Sequence, residues 1–164
     1  MLAAALACLV LQFSGAVAQA AAIRIVALGA SNTAGRGVAA QEAYPAQLEA
    51  MLRAKGYNAT VTNAGLNGDT TAGMLARLDS AVPNGTQLVL VSPSANDAKH
   101  GIAGEQAANV SAIVSRLRAR GIKALIVPGL RNLERQPDGE HLTAAAHRAL
   151  AASLLPQVIG AIGR

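Results

Sequence analysis

The chain of 164 residues carries 14 Lys and Arg against 9 Asp and Glu, a net charge of +5, one Cys, no Trp and 52% hydrophobic residues. A single domain of this size buries roughly 68 to 70% of the surface its unfolded form exposes, which supports a core without metal or disulfide staples. The lone cysteine excludes an internal disulfide, three scattered histidines give no zinc-binding spacing, and so hydrophobic a composition excludes a disordered or acidic solvating protein.

The first charge is Arg24, so the chain opens on an uncharged stretch rich in alanine and leucine. It is long enough to cross a bilayer, but Gln12, Ser14, Gly15 and Gln19 interrupt it. Leu2 to Phe13 has the length of a signal-peptide core, and Ala16-Val17-Ala18 or Ala18-Gln19-Ala20 supplies a small-residue cleavage site. The expectation is a signal peptide over residues 1–20, a domain over residues 21–164, and an exported, periplasmic or secreted protein without a membrane span in its mature form. Cys8 falls inside the leader, which suits an oxidising compartment for the remainder.

From Ile23 short apolar runs alternate with longer amphipathic ones. Residues 23–28 read as a strand, and residues 41–55, with Tyr44, Leu48, Met51 and Leu52 at three- and four-residue spacing, as a helix. Residues 59–62 follow as a second strand, 70–82 as a helix and 87–91 as a buried strand. Residues 105–120 form a helix whose Arg116, Arg118 and Arg120, with Lys123, are the only local basic cluster. That run is a solvated face, and with Tyr44 and Tyr57 the only aromatics beyond the leader there is no stacking platform for nucleic acid. Residues 122–127 are the fourth strand, and residues 142–162 close the chain as a helix containing Pro156. Nearly continuous apolar strands alternating with helices predict an α/β protein, a three-layer sandwich around a short parallel sheet of about four strands.

In such a sheet every loop after a strand emerges at the carboxyl edge, where ligands bind near the switch in strand order. Those loops are residues 29–37, 63–69, 92–101 and 128–141. The first, Gly29 to Gly37, allows a tight turn that exposes Ser31, as a nucleophile or as part of a phosphate cradle. A turn-forming serine is the plain alternative. In the last, Asp138-Gly139-Glu140-His141 sets a carboxylate three residues before an imidazole, close enough to orient the ring as a base for Ser31. The middle loops offer oxyanion donors: the backbone N–H of Gly68 and the side-chain amide of Asn96. Asp69 and Asp97 read as helix caps or turn formers.

Together these four loops resemble the SGNH (GDSL-type) hydrolases, whose blocks contribute Ser, Gly, Asn and His in this chain order. Gly29-Ala30-Ser31 stands for the first block, Asn63 to Thr71 with Gly73 to Leu78 for the second, Ala95-Asn96-Asp97 for the third and Asp138 to His141 for the fourth. The resemblance covers essentially the whole chain after the leader and is greatest to the small exported acyl thioesterases, lysophospholipases and arylesterases. It implies a flavodoxin-like fold, Ser31 as nucleophile, His141 as base with Asp138 its partner, and an oxyanion hole from Ser31, Gly68 and Asn96. No cofactor is implied. Ala30 departs from the family's usual Asp, which predicts a looser turn. Ser94 stands where the third block has Gly, which would be strained if that position required positive φ. Asp138 follows Pro128 by only ten positions, too few for the fifth strand common in the family.

The expected function is an exported serine esterase acting on small-molecule or lipid acyl esters or thioesters through an acyl-enzyme. A carbohydrate O-acetylesterase uses the same machinery and is the nearest enzymatic alternative. A binding protein with an impaired site, suggested by Ala30 and Ser94, is another. A flavodoxin-like phosphate or flavin binder would leave Asp138 and His141 idle.

Overall fold

In the computed structural model, which describes residues 22–163, the first apolar run is paired along both edges. The leader expected over residues 1–20 lies outside the described residues. In chain order the elements are β1 (Ile23–Gly29), α1 (Ser31–Ala34), a 3-10 turn (Ala40–Glu42), α2 (Tyr44–Ala54), β2 (Ala59–Gly65), α3 (Thr71–Ala76) and α4 (Leu78–Ala81). They continue with β3 (Leu88–Ser92), α5 (Asn96–Lys99), a second 3-10 turn (Ala103–Glu105), α6 (Gln106–Ala119), β4 (Lys123–Ile126) and α7 (Ala144–Ile162).

All four strands are parallel, in the order β2-β1-β3-β4, with Ala27 opposite both Asn63 and Leu90. β1 is therefore flanked by the strands that follow it on either side, and the strand order reverses between β1 and β3. The crevice at that reversal is where an open parallel sheet receives ligands. α1 and α5 start there, directly after β1 and β3.

Alternation along the strands divides the core in two. Ile25, Ala27, Leu88 and Leu90 face Leu48 and Leu52 of α2 and Leu150, Leu154 and Val158 of α7. Val26, Leu28, Val89 and Val91 face Met74, Leu78, Ile113 and Leu117 of α3, α4 and α6. Ile25 to Leu28 of β1 and Leu88 to Val91 of β3 are buried on both faces, which is why these stretches read as continuous apolar runs. Caps set two helix starts: the hydroxyls of Thr70 and Thr143 accept from the N–H groups of Gly73 and Ala146 at 3.1 and 3.2 Å.

The expected four strands and their order of appearance hold, and the differences are local. The helix expected over residues 70–82 is two helices broken at Arg77. Two segments read as loops contain single helical turns, α1 and α5, too short to carry a periodic pattern. α7 runs through Pro156.

Glycines end β1 and β2 because α1 folds back onto both. A Cβ on Gly65 would lie 2.2 Å from the Ala34 backbone nitrogen, and one on Gly29 would lie 2.1 Å from the Thr33 hydroxyl. Gly65→Ala is expected to cost about 1–3 kcal/mol in urea unfolding, by forcing the backbones apart. An unfolding midpoint equal to that of wild type would contradict this close approach.

Candidate active site

Ser31 is the first residue of α1, and the turn that presents it closes on backbone bonds. Thr33 and Ala34 donate to the Ala30 carbonyl at 3.0 and 2.9 Å. Ala30 is buried in the apolar cluster with Val26 and Met74. With an alanine at this position the turn closes on the Ala30 backbone carbonyl.

A cleft of about 800 Å³ opens at the carboxyl edge beside β3 and β4. Ser31, Asn32, Ser94, Asn96 and His141 all line it. Asp138 lies behind His141, with its Oδ2 2.5 Å from the imidazole Nδ1. Its Oδ1 accepts the N–H groups of His141 and Glu140 at 3.0 and 2.9 Å. The backbone N–H of His141 first, then its ring and the Glu140 N–H, hold the Asp138 carboxyl well below the usual carboxylate range. An ionised Asp138 fixes the proton on Nδ1 and leaves Nε2 as the ring's acceptor. The His141 side chain is almost wholly buried, so its orientation is determined by the loop around it.

Among the described residues no hydrogen bond joins Ser31 to His141 directly; the next residue makes the connection. Asn32 Oδ1 accepts the Leu142 N–H at 2.9 Å, and Asn32 Nδ2 donates to the Glu140 carbonyl at 3.4 Å. The amide thus grips the backbone on both sides of His141, across more than a hundred residues of sequence. Gln136 adds a parallel tie, donating from Nε2 to the carbonyls of Arg36 and Leu142 at 2.9 and 2.8 Å. Its own N–H donates to the His141 carbonyl at 2.7 Å.

A second network places Asn96. Its Nδ2 donates to the Asp69 carbonyl at 2.8 Å, and Ser94 Oγ donates to the same carbonyl at 3.1 Å while accepting the Asn96 N–H at 3.2 Å. No non-glycine residue among those described has positive φ, so Ser94 is unstrained and orients Asn96 instead of displacing it. Gly68, beside Asp69, does not line the cleft, although its φ of 78° is one that glycine readily adopts.

Three residues that position this edge escaped the sequence reading. Arg77 donates from Nε to Asp69 Oδ2 at 2.8 Å, and from Nη2 to the carbonyls of Gly29 and Ala64 at 3.1 and 2.8 Å. It gathers the ends of β1 and β2 with the Asp69 loop. The available signal was its register, since it adjoins the buried positions Met74 and Leu78. Asp97, expected as a cap or turn former, is fully buried and accepts the Thr71 hydroxyl at 2.5 Å. Thr71 N–H approaches both of its oxygens, at 3.2 and 3.3 Å. Asn32 was hidden by proximity to Ser31, because a loop asparagine reads as a turn residue.

The sequence profile of the GDSL-like lipase/acylhydrolase family matches residues 27–159. The chain belongs to this family. It is 34% identical over 111 residues to an esterase, TesA, of Pseudomonas aeruginosa, covering 66% of this chain and 55% of that one. It is 32% identical over 121 residues to an arylesterase of Vibrio mimicus, covering 73% and 60%. The chain thus spans little more than half the length of the curated relatives it matches. A crystal structure of TesA superposes with a TM-score of 0.77 over 85% of this chain and 99% of that one, at 24% identity, a likeness of fold.

His147, given no role from sequence, supports α1 from beneath. Its Nδ1 accepts the Tyr44 N–H at 3.2 Å, the two rings stack, and the Tyr44 hydroxyl lies 3.5 Å from that of Thr33 in α1. Burial pushes the Tyr44 phenol up to about 12, partly offset by Thr33, so it stays neutral. Burial pushes the His147 imidazole down, against a smaller opposing pull from Glu42. An unfolded chain binds a proton here below about pH 6.5, whereas the folded one resists it. Stability is therefore expected to fall as pH drops from 7 through about 6.5 toward the lower folded value. His147→Gln should remove that part of the slope in urea titrations at stepped pH, and an unchanged slope would contradict a neutral, accepting His147.

Proposed function

We propose that this chain is an exported serine hydrolase that cleaves carboxylic acyl esters or thioesters. Supporting this reading above all is the single cleft shared by Ser31 and His141, with Asp138 oriented behind the imidazole. Membership of the GDSL-like family and likeness to proteins named esterase and arylesterase point the same way. For export the support is the sequence of the leader, and no described helix is long and apolar enough to cross a membrane.

In this mechanism Ser31 Oγ attacks the substrate carbonyl carbon while its proton passes to His141 Nε2. Asp138, held ionised by its backbone partners, stabilises the resulting imidazolium. The oxyanion is met by the Ser31 N–H and the Asn96 amide, the two expected donors that line the cleft. Collapse expels the alcohol or thiol, which takes the proton from Nε2 and leaves an acyl-serine. Water then attacks that ester with His141 again as base, releasing the acid and restoring Ser31. The impaired-binder reading rested on Ala30 and Ser94, and both positions sit in closed hydrogen-bonded turns.

Initial rates on a p-nitrophenyl acyl series test the reading. Ser31→Ala should lower kcat by about 10⁴-fold or more, and Asn96→Ala by about 10²- to 10³-fold. Asn32→Ala, which removes one of the two amide ties between the Ser31 turn and the backbone flanking His141, should lower kcat by about 10- to 100-fold with little change in KM. A Ser31→Ala protein as active as wild type would refute the mechanism.

A further inference from the structure

The charges around the cleft do not cancel. Its ionisable lining, apart from His141, consists of Lys99, Arg131, Arg135 and Glu140. Glu140 is taken by Lys99 at 2.6 Å, and that contact holds the Glu140 carboxyl below its usual range, so the two form a neutral pair. Arg135 donates from Nη1 to the Glu140 carbonyl at 2.5 Å and from Nη2 to the Leu130 carbonyl at 2.6 Å. Carbonyl partners hold the guanidinium in place and leave its charge uncompensated. Arg131, on the same loop, is exposed and has no hydrogen bond or ion pair among the described residues.

The nearby carboxylates are otherwise engaged. Asp138 faces His141, Asp69 pairs with Arg77, Asp97 is buried against Thr71 and Glu134 accepts the Thr143 hydroxyl, and among the described residues none of them forms an ion pair with Arg131 or Arg135. Two guanidinium charges therefore border the cleft that holds Ser31, above a wall of Pro93, Ala98, Val127 and Leu130. A guanidinium with free N–H groups recognises carboxylate or phosphate oxygens through paired, charge-assisted bonds.

We propose that the cleft selects acyl esters bearing an anionic group, bound by Arg131 with Arg135 reinforcing the field. This rests on Ser31 being the nucleophile, and it adds a substrate class to that reading. Short aliphatic walls and a cationic border together suit a small acyl ester whose acid or alcohol part ends in a carboxylate or phosphate.

The test is a comparison of kcat/KM within matched pairs at low ionic strength. p-Nitrophenyl acetate against mono-p-nitrophenyl succinate puts the anion on the acyl side. Glycerol monoacetate against its phosphate monoester puts it on the alcohol side. In at least one pair the anionic member should be preferred by about tenfold, and Arg131→Gln should remove most of that preference. Arg131→Glu should reverse it, and high salt should weaken it in wild type. Preference in the first pair assigns the anion to the acid, and in the second to the alcohol; both support the proposal. Equal rates within both pairs, or a preference that survives Arg131→Gln, would overturn it. p-Nitrophenyl acetate hydrolysis that persists in Ser31→Ala would instead overturn the nucleophile reading on which it stands.

Discussion

The site depends first on the tie that one side-chain amide makes between two distant loops. Asn32 bonds the backbone on both flanks of His141 while being covalently attached to Ser31. Two loops from opposite ends of the chain are thereby held together whatever the rest of the cleft does. Without such a tie, β1 and the β4–α7 loop share only the sheet edge. β1 is separated from β4 by β3, and the last loop's own hydrogen bonds, such as that of the Gln136 N–H to the His141 carbonyl, tie it only to itself. Gln136 repeats the same solution, tying the Arg36 and Leu142 carbonyls together. The sheet therefore brings the loops near one another, and amide side chains fix their register.

A parallel sheet of only four strands limits how this can be done. With no fifth strand among the described residues, β4 is an edge strand and its Ile126 is partly exposed. The chain from β4 to α7 must carry the Asp138–His141 pair, Gln136 and the two arginines. Arg135 staples that segment to itself through the carbonyls of Leu130 and Glu140, so one residue both shapes the loop and charges the cleft. At the ends of β1 and β2, Arg77 does comparable work, joining the two strands to Asp69.

Much of the fold was legible because its signals were strong and local. Ile25 to Leu28 and Leu88 to Val91 are buried on both faces, so they are apolar without interruption and bounded by turn residues. Ser31, Asn96, Asp138 and His141 were picked out because each sits in a polar loop that follows a strand, where the helices and strands leave it unexplained. What stayed hidden was long-range. Nothing local in Asn32, Arg77 or Asp97 says that its partners lie on other loops or, for Arg77, on two strand ends as well. A buried aspartate serving Thr71 has the same local sequence as a helix cap. α1 and α5 were missed because one helical turn has no period to detect, and the break at Arg77 because Met74 and Leu78 keep helical spacing across it.

The departures at Ala30 and Ser94 show how position and role can separate. Ala30 gives up a carboxylate and gains burial, and the turn holds through its own carbonyl. Ser94 gives up a flexible residue and gains a hydroxyl that aims Asn96 at its place. The most direct measurement of the central claim is the site and rate of covalent labelling by a fluorophosphonate, followed by intact-mass and peptide mass spectrometry. The account predicts one adduct, on Ser31, formed rapidly by the wild-type protein, more slowly by Asn32→Ala and not detectably by His141→Ala. Labelling at another residue, or at Ser31 with the same rate in all three proteins, would contradict it.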